Sequence, residues 1–183
     1  NMNIRKAGIK DSKQIKNLAE SLRLNSQTPK EKGFLIYVLD EEEYKKHIQE
    51  SKYFFIAQEK KEIIGFVMAY DDKSLKSLFN ENQMKHEDNL VKFILEQNNP
   101  FIFGDQIGIR SNNEGNGIGK RLMEKLFAEM EKNHINTMYI AISHKPVSNK
   151  ISMDFCKSFG FKKISEIKND DNHVWGIYRL ELK

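Results

Sequence analysis

The sequence predicts an α/β fold of the α+β type, in which helices flank a mixed, largely antiparallel central sheet. Pairs of β-branched and aromatic runs lie near both ends of the chain, and such pairs are typical of antiparallel hairpins. Helical periods alternate with further strands between them. Because no internal repeat and no Pro- or Gly-rich linker divides the 183 residues, we expect one domain over residues 1–183.

Composition narrows the class of protein. A hydrophobic content of 39% and a charged content of 31% exclude collagen-like and wholly disordered chains. The single cysteine, Cys156, excludes a disulfide framework, and the five histidines lack metal-ligand spacing, so we expect no metal. No apolar run approaches the ~18 residues of a membrane span. We therefore expect a cytoplasmic protein without a membrane partner, and the evenly spread net charge of +4 argues against nucleic acid.

Two capping patterns open the first two helices. Asp11 with Gln14 three residues later predicts a capping box before an amphipathic helix over about 11–23. Asp40 with Glu43 predicts a second box and a second helix.

The middle of the chain predicts a hairpin and an insertion. Residues 53–57 and 63–70 are β-branched and aromatic runs joined by a polar turn. Residues 71–100 are mostly polar but hold apolar residues at helical spacing near 87–97, which predicts a helical insertion. A strand over 101–109 follows.

The last third alternates helices and strands. The apolar stripe of residues 115–133 predicts the clearest helix of the chain, followed by a strand over 137–142. A helix over about 148–159 precedes a closing hairpin of 161–167 and 173–182.

The most informative segment is a glycine-rich loop between a predicted strand and the strong helix. Gly115, Gly117 and Gly119 let the backbone turn sharply, and a helix N-terminus behind such a loop favours a phosphate or pyrophosphate. Lys120 and Arg121 add positive charge. A P-loop needs Ser or Thr where Arg121 stands, and a Rossmann fingerprint needs glycine where Lys120 stands. A helix entry without a ligand is the alternative.

The helix predicted over 148–159 carries two faces. Residues spaced four apart predict a buried stripe of Ile151, Phe155 and Phe159. A separate polar face holds Asn149, Ser152 and Cys156. Gly160 ends the helix, as a C-terminal glycine does.

Together these segments resemble the GNAT superfamily of acyl-CoA N-acyltransferases. That family has Gln/Arg-x-x-Gly-x-Gly/Ala after a strand, and 114–119 matches except that Glu114 replaces Gln or Arg. Asn149 and the Gly160–Phe161 pair match the family's second motif. The resemblance covers nearly the whole chain, with the 71–100 insertion as an extra.

The resemblance implies a coenzyme site and its residues. In the family the glycine-loop amides hold the coenzyme A pyrophosphate, a strand amide polarises the thioester carbonyl, and an asparagine contacts the pantetheine arm. The residues at the matching positions are Ile109, Gly115, Asn116, Gly117, Ile118, Gly119, Lys120, Asn149 and Ser152.

The catalytic residues implied are Cys156 and Asp105. Cys156 stands where the family often has a tyrosine that protonates the leaving thiolate, and it serves either as that acid or as a packing residue. A covalent acyl-cysteine is disfavoured because no histidine is placed to activate the thiol. Asp105 is the carboxylate nearest the expected reaction centre and is the candidate base, with loop capping or pairing with Arg110 as alternatives.

The implied function is transfer of an acetyl group from acetyl-CoA to a primary amine of a small molecule or amino acid. We expect acetyl-CoA as cosubstrate, a small amine acceptor and a possible homodimer. The acceptor would lie between the 24–38 loop and the insertion, beside the aromatic residues Phe34, Tyr37, Phe79 and Phe93. The alternatives are an inactive acyl-CoA-binding regulatory module and a protein N-terminal or lysine acetyltransferase.

Overall fold

The computed structural model describes residues 2–28, 33–80 and 88–183. Within them, seven strands form one sheet in the order β1-β2-β3-β4-β5-β7-β6. The strands are β1 (Met2–Lys6), β2 (Tyr53–Glu59), β3 (Glu62–Asp71), β4 (Ile102–Ile109), β5 (Thr137–Lys145), β6 (Lys162–Lys168) and β7 (Val174–Glu181).

Helices cover both faces of this sheet. They are α1 (Ser12–Ser21), α2 (Glu41–Glu50), α3 (Asp72–Asn80), α4 (Asp88–Leu95), α5 (Ile118–Lys132) and α6 (Lys150–Ser158), with short 3₁₀ turns at Ile9–Asp11 and Ser111–Asn113. Among the described residues, none of these helices has the length and apolar character to cross a membrane.

Two apolar clusters lie on opposite faces of the sheet. Helices α1 to α4 pack on one face around residues such as Ile15, Tyr44 and Phe66. Helices α5 and α6 cover the other face, where Val67 and Leu126 lie. Phe66 and Val67 are neighbours on β3 that point to opposite faces, so this strand is buried on both sides. The predicted mixed, largely antiparallel sheet flanked by helices is confirmed.

Among the strands that the structure describes, one neighbouring pair is parallel, and this pairing is short. Among the paired strands described, β4 and β5 run parallel, and they pair only over Ile102–Gly104 and Met138–Ile140. Beyond Gly104 the two strands part, which opens a gap in the middle of the sheet.

A β-bulge lies at the point where that gap begins. On β3, Met68 pairs with Gln106 and the next residue, Ala69, pairs with Gly104. Asp105 is therefore the extra residue on β4, and a bulge of this kind re-aims a side chain while it increases local twist.

The two capping predictions have different outcomes. Asp40 accepts from the Glu43 amide at 2.8 Å while Glu43 accepts from the Asp40 amide at 3.3 Å, which confirms the second box. The first box is wrong, because a 3₁₀ turn precedes α1. The Asp11 carboxylate instead pairs with Arg5 at 2.8 and 2.9 Å, and Gln14 accepts from the Ile63 amide.

The described part of the 71–100 segment contains helices, but they differ from the prediction. The segment contains α3 and α4 rather than a single helix over 87–97, and residues 81–87 lie outside the described part. α3 was missed because its polar composition hid Leu75 and Leu78, which are fully buried. Phe79 and Phe93, expected near the acceptor, pack against the core instead.

Candidate active site

Backbone amides of β4 face the gap between β4 and β5. The Arg110 amide donates to the Ile64 carbonyl at 2.8 Å, so alternate residues of β4 bond to β3. The register pairs Ile107 with Val67 and Ile109 with Gly65, and these are the non-hydrogen-bonded pairs. The amides of Ile107 and Ile109 therefore point away from β3 and into the gap.

A cavity of about 700 Å³ lies between the glycine loop, the end of β4, α6 and residues 33–35. We call it the loop cavity. The loop residues that line it are Asn113, Glu114, Gly115, Gly117, Ile118, Gly119 and Lys120. Asn116 belongs to the same loop but lies outside this lining.

Two glycines give this loop its shape. Gly115 and Gly117 have φ of +82° and +75°, a region that side chains disfavour, whereas a Cβ at either would touch nothing within 4 Å. Because the chain turns there, α5 begins at Ile118 and not at Gly115 as predicted. The amides of Ile118, Gly119 and Lys120 have no carbonyl partner within the helix, so the loop presents donors and a helix dipole to the cavity.

Gly119 is needed for a different reason. A Cβ there would lie 3.0 and 3.1 Å from Cζ and Cε1 of Phe155. The missing side chain lets α5 and α6 approach each other beside the loop cavity.

A second, smaller cavity of about 90 Å³ occupies the gap between β4 and β5, and we call it the gap cavity. Tyr37 and Trp175 line it from one face of the sheet, and Met123, Met138 and Cys156 line it from the other. The gap cavity therefore connects the two faces. It shares with the loop cavity the residues Phe34, Leu35, Ile107, Ser152 and Phe155.

Asp105 lies in the gap cavity and is held by two tyrosines. Its carboxylate accepts hydrogen bonds from the Tyr37 hydroxyl and, at 3.0 Å, from the Tyr70 hydroxyl. Burial raises the pKa of this carboxyl to about 6, although the two hydroxyl donors act in the opposite direction. The alternative pairing with Arg110 is wrong, since Arg110 bonds Glu62 at 2.5 Å and Asn113 at 2.6 Å.

The two faces predicted for α6 are only partly correct. Ile151, expected in the buried stripe, is 41% exposed, while Cys156, expected on the polar face, is only 6% exposed. Phe155 and Phe159 are half-buried and, with Ile151, line the loop cavity. Periodicity identified an apolar face correctly, but that face lines a cavity with all three residues, and only Phe155 and Phe159 also pack against the core.

Burial also changes the chemistry of Cys156. It raises the pKa of the thiol to about 12, which makes the thiol a weak acid at neutral pH. The geometry therefore favours the packing role over the acid role among the two that the sequence left open.

Asn149 is hydrogen-bonded to the 33–39 segment, which lines both cavities. Its Oδ1 accepts from the Ser152 amide at 3.4 Å and caps α6, and its Nδ2 donates to the Phe34 carbonyl at 3.0 Å. Both ends of the amide are thus bound within the protein, and the pantetheine contact stays a prediction.

The hydrogen-bonded group of side chains around Asp105 was missed by sequence reasoning. Tyr70 also bonds the Nδ1 of His47, and Tyr44 bonds Gln106, whose amide donates to the Tyr37 carbonyl. Tyr37 was noted only as an aromatic side chain of the acceptor region. These partners come from α2, β3 and the 33–39 segment, so no local pattern predicts that they meet.

The fold and the cavities define a class of protein that can bind an anionic ligand at the N-terminus of α5. The ionisable carboxylate of Asp105 lies in the adjoining gap cavity. A model of the acetyltransferase (GNAT) family matches residues 17–161, and the chain therefore belongs to this family. No curated protein matches the sequence.

Solved structures of similar fold include enzymes with different acceptors. The NatC complex bound to Gag peptide and CoA has a TM-score of 0.69 at 13% identity, covering 100% of this chain and 99% of that one. The ribosomal-protein-S18-alanine N-acetyltransferase from Escherichia coli has a TM-score of 0.66 at 12% identity, covering 100% of this chain and 95% of that one. The Drosophila melanogaster polyamine N-acetyltransferase has a TM-score of 0.66 at 12% identity, covering 100% of both chains.

Proposed function

We propose that this protein is an acetyl-CoA-dependent N-acetyltransferase that acts on a primary amine of a small molecule or amino acid. Membership of the acetyltransferase family supports the reaction class. The observation that carries the proposal is the junction of the loop cavity with the gap cavity, where β4 amides and the Asp105 carboxylate face one shared space.

The loop cavity would bind the coenzyme. The amides of residues 118–120 and the positive end of the α5 dipole suit the pyrophosphate of coenzyme A, and Lys120 adds charge in the first turn. The apolar side chains of Ile151, Phe155 and Phe159 would flank the bound coenzyme.

The β4 amides would polarise the thioester. Ile107 lines both cavities, whereas Ile109 lines only the loop cavity among the two. We therefore assign the thioester carbonyl to the Ile107 amide, in place of the Ile109 amide expected from the sequence, and the adjoining pantetheine arm to the Ile109 amide. A preorganised N–H directed at the developing oxyanion lowers the barrier.

Asp105 would act as the general base. An alkylamine with a pKa near ~10 arrives as the ammonium ion, and a carboxylate with a raised pKa is a better proton acceptor than an ordinary one. After Asp105 takes one proton, the amine nitrogen attacks the thioester carbon. The C–N bond forms, the C–S bond breaks, and the coenzyme leaves as the thiolate. The nitrogen, which carries a positive charge after the attack, loses its second proton, and the thiolate takes up one proton to give the free thiol.

The experiment that tests this function is an amine panel with acetyl-CoA and thiol detection. The panel contains alkylamines, polyamines, amino acids, amino acid amides and short peptides. We expect thiol release and a mass gain of one acetyl group with at least one small amine. Activity with peptides alone would favour a protein N-terminal acetyltransferase instead.

A second candidate function is a coenzyme-binding module without catalysis. The observation that favours it is the buried Cys156 thiol at the position where a tyrosine acid is expected, since a pKa of about 12 makes this thiol a poor proton donor. In this case acetyl-CoA and coenzyme A raise Tm, while the whole panel releases no thiol above the D105N control.

A further inference from the structure

A buried histidine lies behind the candidate base and has no role in the mechanism above. His47 is on α2, is 1% exposed, and bonds the Tyr70 hydroxyl through Nδ1. Its Nε2 has no hydrogen-bond partner in the described structure. Tyr70 in turn donates to Asp105, so the three side chains form one chain of hydrogen bonds.

We propose that His47 is a positioning residue that, as the neutral Nδ1–H tautomer, directs the single proton of Tyr70 toward Asp105. This inference rests on the proposed function, because it assigns Asp105 the role of base.

The number of protons shared by His47, Tyr70 and Asp105 determines the tautomer of His47. An ionised carboxylate only accepts hydrogen bonds, so Tyr70 must donate its one proton to Asp105. The Tyr70 oxygen can then only accept from His47, and Nδ1 must carry the hydrogen. Nε2 is left as a bare acceptor, in agreement with its lack of a donor in the described structure. The other tautomer would bury an N–H without a partner and would leave two acceptors facing each other.

The surroundings keep His47 neutral. Burial, with a smaller contribution from Lys46, lowers the pKa of His47 to about 4. The groups that face Asp105 are Tyr70 from β3 and Tyr37 from the 33–39 segment, with Tyr44 of α2 at longer range. His47 therefore stays neutral through the range in which Asp105 titrates.

The consequence for catalysis is orientation. A Tyr70 hydroxyl that accepts from His47 is a stronger donor to Asp105, since hydrogen bonds in a chain polarise one another. It is also held in one rotamer of its O–H bond. Without His47 the hydroxyl can turn away, and Asp105 loses part of the donation that stabilises its charged form.

The first test needs no turnover. In ¹⁵N-labelled protein at pH 7.5, the ring-nitrogen shifts of His47 distinguish an Nδ1–H from an Nε2–H tautomer. We expect Nδ1–H for His47. A neutral Nε2–H ring, or a protonated ring at this pH, overturns the inference whatever the enzyme acetylates.

The second test compares two matched variants. His47→Asn keeps an N–H where Nδ1 stood, whereas His47→Leu removes it at similar volume. Both are compared with wild type in a ¹³C titration of the Asp105 carboxyl. His47→Leu should raise the midpoint by about half a pH unit or more, whereas His47→Asn should stay close to wild type. Equal midpoints in both variants contradict the inference.

The pH–rate profile completes the design. The acid limb of kcat/KM should move upward in His47→Leu and be restored in His47→Asn. If wild type shows no turnover, the proposed function fails, yet the tautomer and the titration still report on His47. If His47→Leu does not fold, the wild-type tautomer and the Asn variant decide the matter.

Discussion

The Asn149 tether gives a prediction whose size follows from two hydrogen bonds. Asn149→Ala removes the cap of α6, which is worth about 1 kcal/mol, and leaves the buried Phe34 carbonyl without its donor, at about 1–3 kcal/mol. The sum is about 2–4 kcal/mol. For a domain of this size each kcal/mol lowers Tm by about 2–4 °C, so we expect a loss of roughly 5–15 °C.

Asn149→Ser is the matched control. Serine keeps an acceptor for the Ser152 amide but cannot reach the Phe34 carbonyl, so it should lose about half as much stability. Both variants should also raise KM for the amine, because the freed 33–39 segment carries Tyr37. Thermal unfolding and steady-state kinetics measure the two effects. A Tm for the alanine variant within 2 °C of wild type, or equal losses in both variants, would refute the reasoning.

Three further predictions concern the loop, the thiol and the tyrosine clamp. Gly117→Ala places a side chain at φ +75°, so it should cost about 1–2 kcal/mol and raise the Kd for coenzyme A; calorimetry at fixed salt checks both, and an unchanged Kd counts against loop binding. Cys156→Ala should keep the pH–rate profile of wild type while it lowers Tm, because the buried thiol packs and does not donate; an activity loss above tenfold with a lost basic limb would restore its role as acid. Tyr37→Phe removes a donor from the Asp105 carboxylate, so the acid limb of kcat/KM should move to higher pH, and a limb that stays in place or moves down contradicts the assignment.

Local patterns predicted the parts of this protein that depend on local chemistry. The glycine loop, the strands of the two predicted hairpins and the Asp40 cap follow from spacing within a few residues. The start of α5 was misplaced by three residues because positive φ at Gly115 and Gly117 delays the helix.

The chemistry around Asp105 could not be predicted in the same way. Tyr37 lies 68 residues and Tyr70 lies 35 residues from Asp105 in the chain, and only the tertiary fold unites them. The bulge that turns Asp105 into the gap also depends on its pairing with β3. On α6, the apolar spacing was real, but a helix face that lines a cavity has the same pattern as one that packs in a core.

Ionisation of Asp105 is expected to lower the stability of the fold and to raise the activity. Its value of about 6 in the folded protein lies above the ordinary value of 3.8, so ionisation destabilises the fold as pH rises from about 4 to 6. Asp105→Asn removes that ionisation. The variant should therefore have a Tm at pH 8 no lower than that of wild type, although it lacks the proposed base.

The most direct test of the central claim is the pH dependence of kcat/KM for amine acetylation in wild type and Asp105→Asn. We expect the wild-type value to fall below pH 6, and the variant to be lower by about 10²–10⁴ at pH 7.5 while its affinity for coenzyme A is unchanged. An Asp105→Asn enzyme that retains wild-type kcat/KM and the same acid limb would contradict the assignment of Asp105 as the base.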